Sequence, residues 1–179
     1  HRAPRSTRIG RRRDLPGKRT LMNRRTIALF AATLLVVSAC ASQDEFSSVR
    51  EATEDFKEVP TARAAGYEEF LVCFDSDAGG MGQHYVDVAD LDGEVDATHP
   101  ESMLYEVGSD GTLTLTSVEY IVPNAEPPGG QTTAPELYGQ TFQLVEDLNV
   151  WAMHAWVFKD NPDGMFADFN PDVGPCPAV

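Results

Sequence analysis

The chain has 179 residues, 14 basic and 28 acidic, for a formal charge of −14. That length suits a single domain of ordinary size. Such an acidic balance repels phosphate backbones and excludes nucleic acid as a partner.

The charge is unevenly spread, and this divides the chain from its first residues onward. Residues 1–21 carry eight basic side chains and almost no apolar ones, and we read them as a misassigned upstream segment. Residues 22–39 follow as a lipoprotein signal peptide, with the basic pair Arg24-Arg25, an apolar run from Thr26, and the lipobox Val37-Ser38-Ala39-Cys40. The Cys40 thiolate is the group a diacylglycerol would alkylate, and the small residues Ser38 and Ala39 admit the peptidase. Two or more acyl chains, palmitate among them, anchor stably where one does not. The expected location is the extracytoplasmic face of the cell membrane, with the export route open between the general and twin-arginine systems. Ten basic residues and only Asp14 among the acidic ones precede Cys40, so the remainder holds four basic and 27 acidic residues, a formal −23. Residues 40–48 are expected as the lipidated cysteine and a tether, and residues 49–179 as one extracytoplasmic domain.

Within that domain the pattern predicts short helices over 49–56 and 61–65, with Pro60 between them and Gly66 stopping the second. Strands are predicted over 70–74, 85–88, 103–107, 112–122, 141–145 and 150–158. Ser109-Asp110-Gly111 is a hairpin signal, because Asp-Gly tolerates the positive φ of a tight turn. Pairing Ser109 with Thr112 sets Glu106 opposite Leu115 and Glu119 opposite Ser102, with both glutamates on one face. Asn161-Pro162-Asp163-Gly164 makes a second turn. The fold class is α+β, mainly antiparallel β-sheet with short N-terminal helices.

With Cys40 taken by lipid, Cys73 and Cys176 remain as an even pair suited to an oxidising compartment, and a disulfide between them is expected. Closing a loop of about a hundred residues stabilises by up to about 4.7 kcal/mol in the chain-entropy model.

A series of short motifs runs through the domain: Gly79-Gly80-Met81-Gly82-Gln83-His84-Tyr85, Pro100-Glu101, Leu104-Tyr105-Glu106, Val118-Glu119-Tyr120, Leu137-Tyr138-Gly139-Gln140, His154-Ala155-Trp156 and Asn161-Pro162-Asp163-Gly164-Met165-Phe166, then a turn at Asn170-Pro171. In this order they resemble a family of uncharacterised secreted bacterial proteins, from Ala65 to Cys176. The resemblance implies the secreted class and the domain boundaries and supplies no reaction.

Chemistry concentrates on few residues. His84 follows a glycine-rich turn where backbone can approach a ligand, and His154 lies in an apolar strand between Trp151 and Trp156. Neutral imidazoles from His84 and His154 with a carboxylate from Glu119, or alternatively Glu106, would hold a divalent metal such as zinc and leave a further position open. The competing reading makes His154 a hydrogen-bonded core residue and His84 a turn residue. His99 reads as a loop residue. Met81 and Met153 raise a copper variant, although methionine is commoner in cores. The acidic run from Asp87 to Gly93 fails the EF-hand spacing. Nucleophile-elbow, zinc-protease helix, phosphate-loop and dinucleotide signatures are missing from the sequence, which leans away from an enzyme without deciding it. The resulting expectation is a membrane-anchored extracytoplasmic lipoprotein that binds a metal or small-molecule ligand. A metal-dependent hydrolase and a cell-envelope interaction module without a site are the alternatives.

Overall fold

The computed structural model describes residues 45–177. The upstream segment, the signal peptide and the lipidation cysteine Cys40 lie outside the described residues. Among the described residues, no helix is long and apolar enough to cross a membrane.

The chain opens with α1 (Ser47–Thr53), a 3₁₀ turn (Glu54–Lys57) and α2 (Val59–Ala64). Pro60 does not separate two helices but sits in the first turn of α2, where its missing N–H costs no hydrogen bond. Phe46, expected in the tether, is buried against the rings of Tyr138 and Phe166, so the folded domain begins before residue 49.

Eight strands follow: β1 (Glu68–Ser76), β2 (Gly79–Val86), β3 (Ser102–Val107), β4 (Leu113–Pro123), β5 (Glu136–Leu137), β6 (Gln140–Thr141), β7 (Gln143–Val145) and β8 (Val150–Ala155). Six of them form one antiparallel sheet in the order β1-β2-β3-β4-β8-β7, and β5 and β6 make a small hairpin. The domain is therefore mostly antiparallel β-sheet with a few short helices, as the alternating pattern predicts. The predicted strand over 141–145 is split at Phe142, whose ring is buried in the core.

Side-chain alternation gives the sheet two different faces. One carries Tyr85, Met103, Tyr105, Val118, Tyr120, Val122, Met153 and Ala155, which form the core with Phe46, Val49 of α1 and Ala62 of α2. Buried tyrosines satisfy their hydroxyls on backbone carbonyls of the covering segments: Tyr67 on Pro100, Tyr105 on Phe56 and Tyr120 on Ala97. The other face carries His84, Ser102, Leu104, Ser117, Glu119 and His154.

The β3–β4 register corrects the hairpin prediction in part. Ser102 pairs with Glu119 as expected, but a bulge at Thr116 shifts the half near the turn, so Glu106 faces Thr114 rather than Leu115. The extra residue is used: the Thr116 carbonyl accepts from both Phe158 and Lys159.

The glycine-rich segment is strand rather than turn, and its glycines serve the C-terminal segment. A Cβ at Gly79 would lie 2.2 Å from the Asn170 carbonyl oxygen, and Gly80 and Asn170 form a reciprocal backbone bridge. The chain after β8 therefore lies directly on β2. The bridge between Cys73 and Cys176 ties the same segment to β1, with Cα atoms 5.7 Å apart across 103 residues. That disulfide is the one the cysteine count predicts.

Candidate metal centre

Three buried side chains converge on the second face. His84 comes from β2, Glu119 from β4 and His154 from β8. Glu119 and His154 are direct cross-strand partners, whose Cβ atoms lie about 4.5–5.5 Å apart in any antiparallel pair. His84 is separated from Glu119 by β3, and two inter-strand spacings amount to about 9.6 Å. The two side chains must lean toward each other across that strand, and the β3 residue opposite Glu119 is the small Ser102.

The resulting distances are those of a shared centre. His84 Nε2 lies 3.5 Å from Glu119 Oε2, and His154 Nε2 lies 3.5 Å from Glu119 Oε1. One ligand atom from each residue can be chosen so that all lie within 4.8 Å of one another. A tetrahedral zinc ion with bonds of about 2.0–2.1 Å has ligand–ligand edges of about 3.3–3.4 Å. Each imidazole approaches a different oxygen of the carboxylate, at a separation close to such an edge and longer than a good hydrogen bond of about 2.7–3.2 Å.

Hydrogen bonding agrees with the distances at His154, whose Nε2 is buried without a partner, a condition that costs about 1–3 kcal/mol unless something else satisfies it. At His84 the buried nitrogen without a partner is Nδ1, not the Nε2 that faces Glu119. His154 Nδ1 faces Asp168 Oδ1 at 3.6 Å. A carboxylate on that side favours the tautomer with the proton on Nδ1 and presents the Nε2 lone pair to the Glu119 side. Two lone pairs facing each other across 3.5 Å need a cation between them, either a proton or a metal.

The two imidazoles differ electrostatically. Burial pushes the His84 pKa down, with His154 adding to the fall, and the Glu119 carboxylate only partly opposes it. Burial pulls at His154 as well, but Glu119 and Asp168 outweigh it and raise the value. The His154 ring in turn holds the Asp168 carboxyl below the usual carboxylate range, against its partial burial. His84 is thus set to remain a neutral donor, with the Phe74 ring edge-on at 5.4 Å. His154 carries the more basic nitrogen.

Of the predicted site residues, His84, Glu119 and His154 come together and Glu106 does not join them. Its carboxylate is taken up by Lys159 Nζ at 2.8 Å and by the Gly174 N–H at 2.9 Å, and this cation and N–H hold its pKa down despite burial. The core-histidine reading of His154 is right about burial and about one partner, Asp168 on Nδ1, but it leaves Nε2 buried without a hydrogen bond. Met153 falls on the opposite face in the core, which removes it from a copper set with His154. Asp87 and Asp92 accept backbone N–H groups two residues on, so part of the acidic run works as local turns. His99 is a loop residue as expected, with its side chain 72 % exposed.

Asp168 is the site residue that sequence reasoning missed. It sits in the turn-rich segment after β8, and no motif or spacing marks it. Its position comes from the Trp156 indole donating to the Ala167 carbonyl and from Asn170 bridging Gly80. Comparison with protein-family models, curated proteins and solved structures finds no match for this chain.

Proposed function

We propose that the protein is a lipid-anchored extracytoplasmic protein whose domain binds one first-row divalent metal ion, best suited to zinc, through His84, Glu119 and His154. One observation carries this reading: three buried donor groups meet at metal-ligand spacing with no hydrogen bond between them. Two imidazoles and a carboxylate are borderline donors that suit zinc. Asp168 serves as the outer carboxylate that orients His154, an arrangement that raises ligand basicity. The anchor rests on the lipobox ending at Cys40. The strong negative charge would concentrate cations near the domain.

The test is metal analysis of the full chain purified in detergent after supply of zinc. The expected result is one equivalent of zinc in the wild type and none in His84→Ala or His154→Ala, with the Cys73–Cys176 bridge and the circular dichroism spectrum retained. Metal-free wild-type protein, or variants that keep their zinc, would overturn the reading.

A further inference from the structure

The four fully buried side-chain polar atoms without a partner among the described residues are His84 Nδ1, His154 Nε2, Ser102 Oγ and Ser117 Oγ. All four residues belong to the same patch of one sheet face. Ser102 is opposite Glu119, which is opposite His154, while Ser117 is opposite Leu104, which is opposite His84. Elsewhere among the described residues buried hydroxyls are satisfied, as with Thr53 on Val49 and Thr116 on Leu104.

A bare ion beside Glu119 would account for the His154 Nε2 lone pair but not for two neutral hydroxyls, which are not among the usual protein ligands of zinc. Small size does not account for them either. If these positions only needed room for His84 to lean toward Glu119, alanine would supply it without burying an unpaired hydroxyl. Three protein ligands also leave a coordination position open, the arrangement of sites that take a water or substrate molecule.

On the reading that a metal sits between His84, Glu119 and His154, we infer that its open position takes an exogenous oxygen-donor ligand, water at rest or a small carboxylate anion, hydrogen-bonded by the Ser102 and Ser117 hydroxyls. A hydroxyl has one proton to donate and two lone pairs to accept with, so the pair serves either guest.

The experiment uses the full chain loaded with Co(II), whose visible absorption reports its ligands, titrated with acetate. Wild-type protein should show a saturable spectral change. Ser102→Ala and Ser117→Ala should each bind one Co(II) as before yet weaken acetate by about tenfold, the worth of one hydrogen bond to a charged group. Removing an unpaired hydroxyl does not destabilise the metal-free protein, so both variants should fold, and their gain in melting temperature on Co(II) loading should be smaller than that of the wild type. Acetate affinity within about twofold of wild type in both variants, an equal gain in melting temperature, or no acetate response from Co(II)-loaded wild type would each overturn this inference while leaving the metal site standing. A wild-type chain that takes up no Co(II) would overturn the metal reading itself.

Discussion

Glu101→Gln tests how the sheet that carries the site is held together. Glu101 lies just before β3, almost wholly buried at 3 % exposure, and its Oε2 accepts the Ile121 N–H of β4 at 2.8 Å. Burial pushes the carboxyl up from 4.5 to about 8; the Ile121 N–H opposes the rise, and Asp90 and Asp92 add to it. Between those two values the native protein holds a proton that the unfolded chain has released. Stability is therefore fully present below pH 4.5 and falls as pH rises through the window, by about 1.4 kcal/mol per unit. From pH 5 to pH 7 the loss is about 2.7 kcal/mol, or about 10 °C in melting temperature for a domain of this size. Glutamine keeps the acceptor for Ile121 and has no proton to lose. Thermal melts at pH 5, 6, 7 and 8 should show the variant level with the wild type at pH 5 and progressively more stable above it. The difference between the two curves isolates Glu101, because the other titrating groups are common to both proteins. Melting temperatures that run parallel from pH 5 to pH 8 would refute a buried protonated carboxyl at this position.

Asp168→Asn should lower zinc affinity tenfold to a hundredfold by removing the carboxylate that orients His154, as read by competition with a chromophoric chelator; unchanged affinity would detach Asp168 from the site. Replacing Cys73 and Cys176 together by serine should cost up to about 4.7 kcal/mol of unfolding free energy, measured by urea denaturation, and an unchanged midpoint would leave the bridge without a stabilising role. Cys40→Ala should move the protein from the membrane fraction to the medium or leave it unprocessed, and normal processing with membrane retention would end the lipoprotein reading.

Much of the sheet was legible because half-buried strands alternate, and alternation is a local property. Yet the alternation along β4 also contains its own irregularity: Leu113 and Leu115 occupy odd positions, then Val118, Tyr120 and Val122 even ones. That change of phase is the bulge at Thr116, and a register carried straight from the turn misses it. The glycines of β2 were misread for a different reason. A run of Gly residues marks close backbone approach without saying what approaches, and here it is the chain at Asn170, ninety residues on.

The sequence by itself determined the mainly antiparallel sheet and the pairing of Cys73 with Cys176, because period-two patterning acts within short stretches of chain and cysteine parity is a matter of composition. The expected pairing of Glu119 with Ser102 holds only because the bulge at Thr116 cancels a one-residue shift at the turn. The sequence also nominated His84, Glu119 and His154, since these residue types are few enough to weigh singly. Only the tertiary structure decided that the three meet, that Glu106 goes to Lys159 instead, and that Asp168 stands behind His154. Those outcomes depend on strand order and on where the segment after β8 returns across the sheet. Both are set by the packing of one sheet face against α1, α2 and the core, and no local spacing on the other face encodes them.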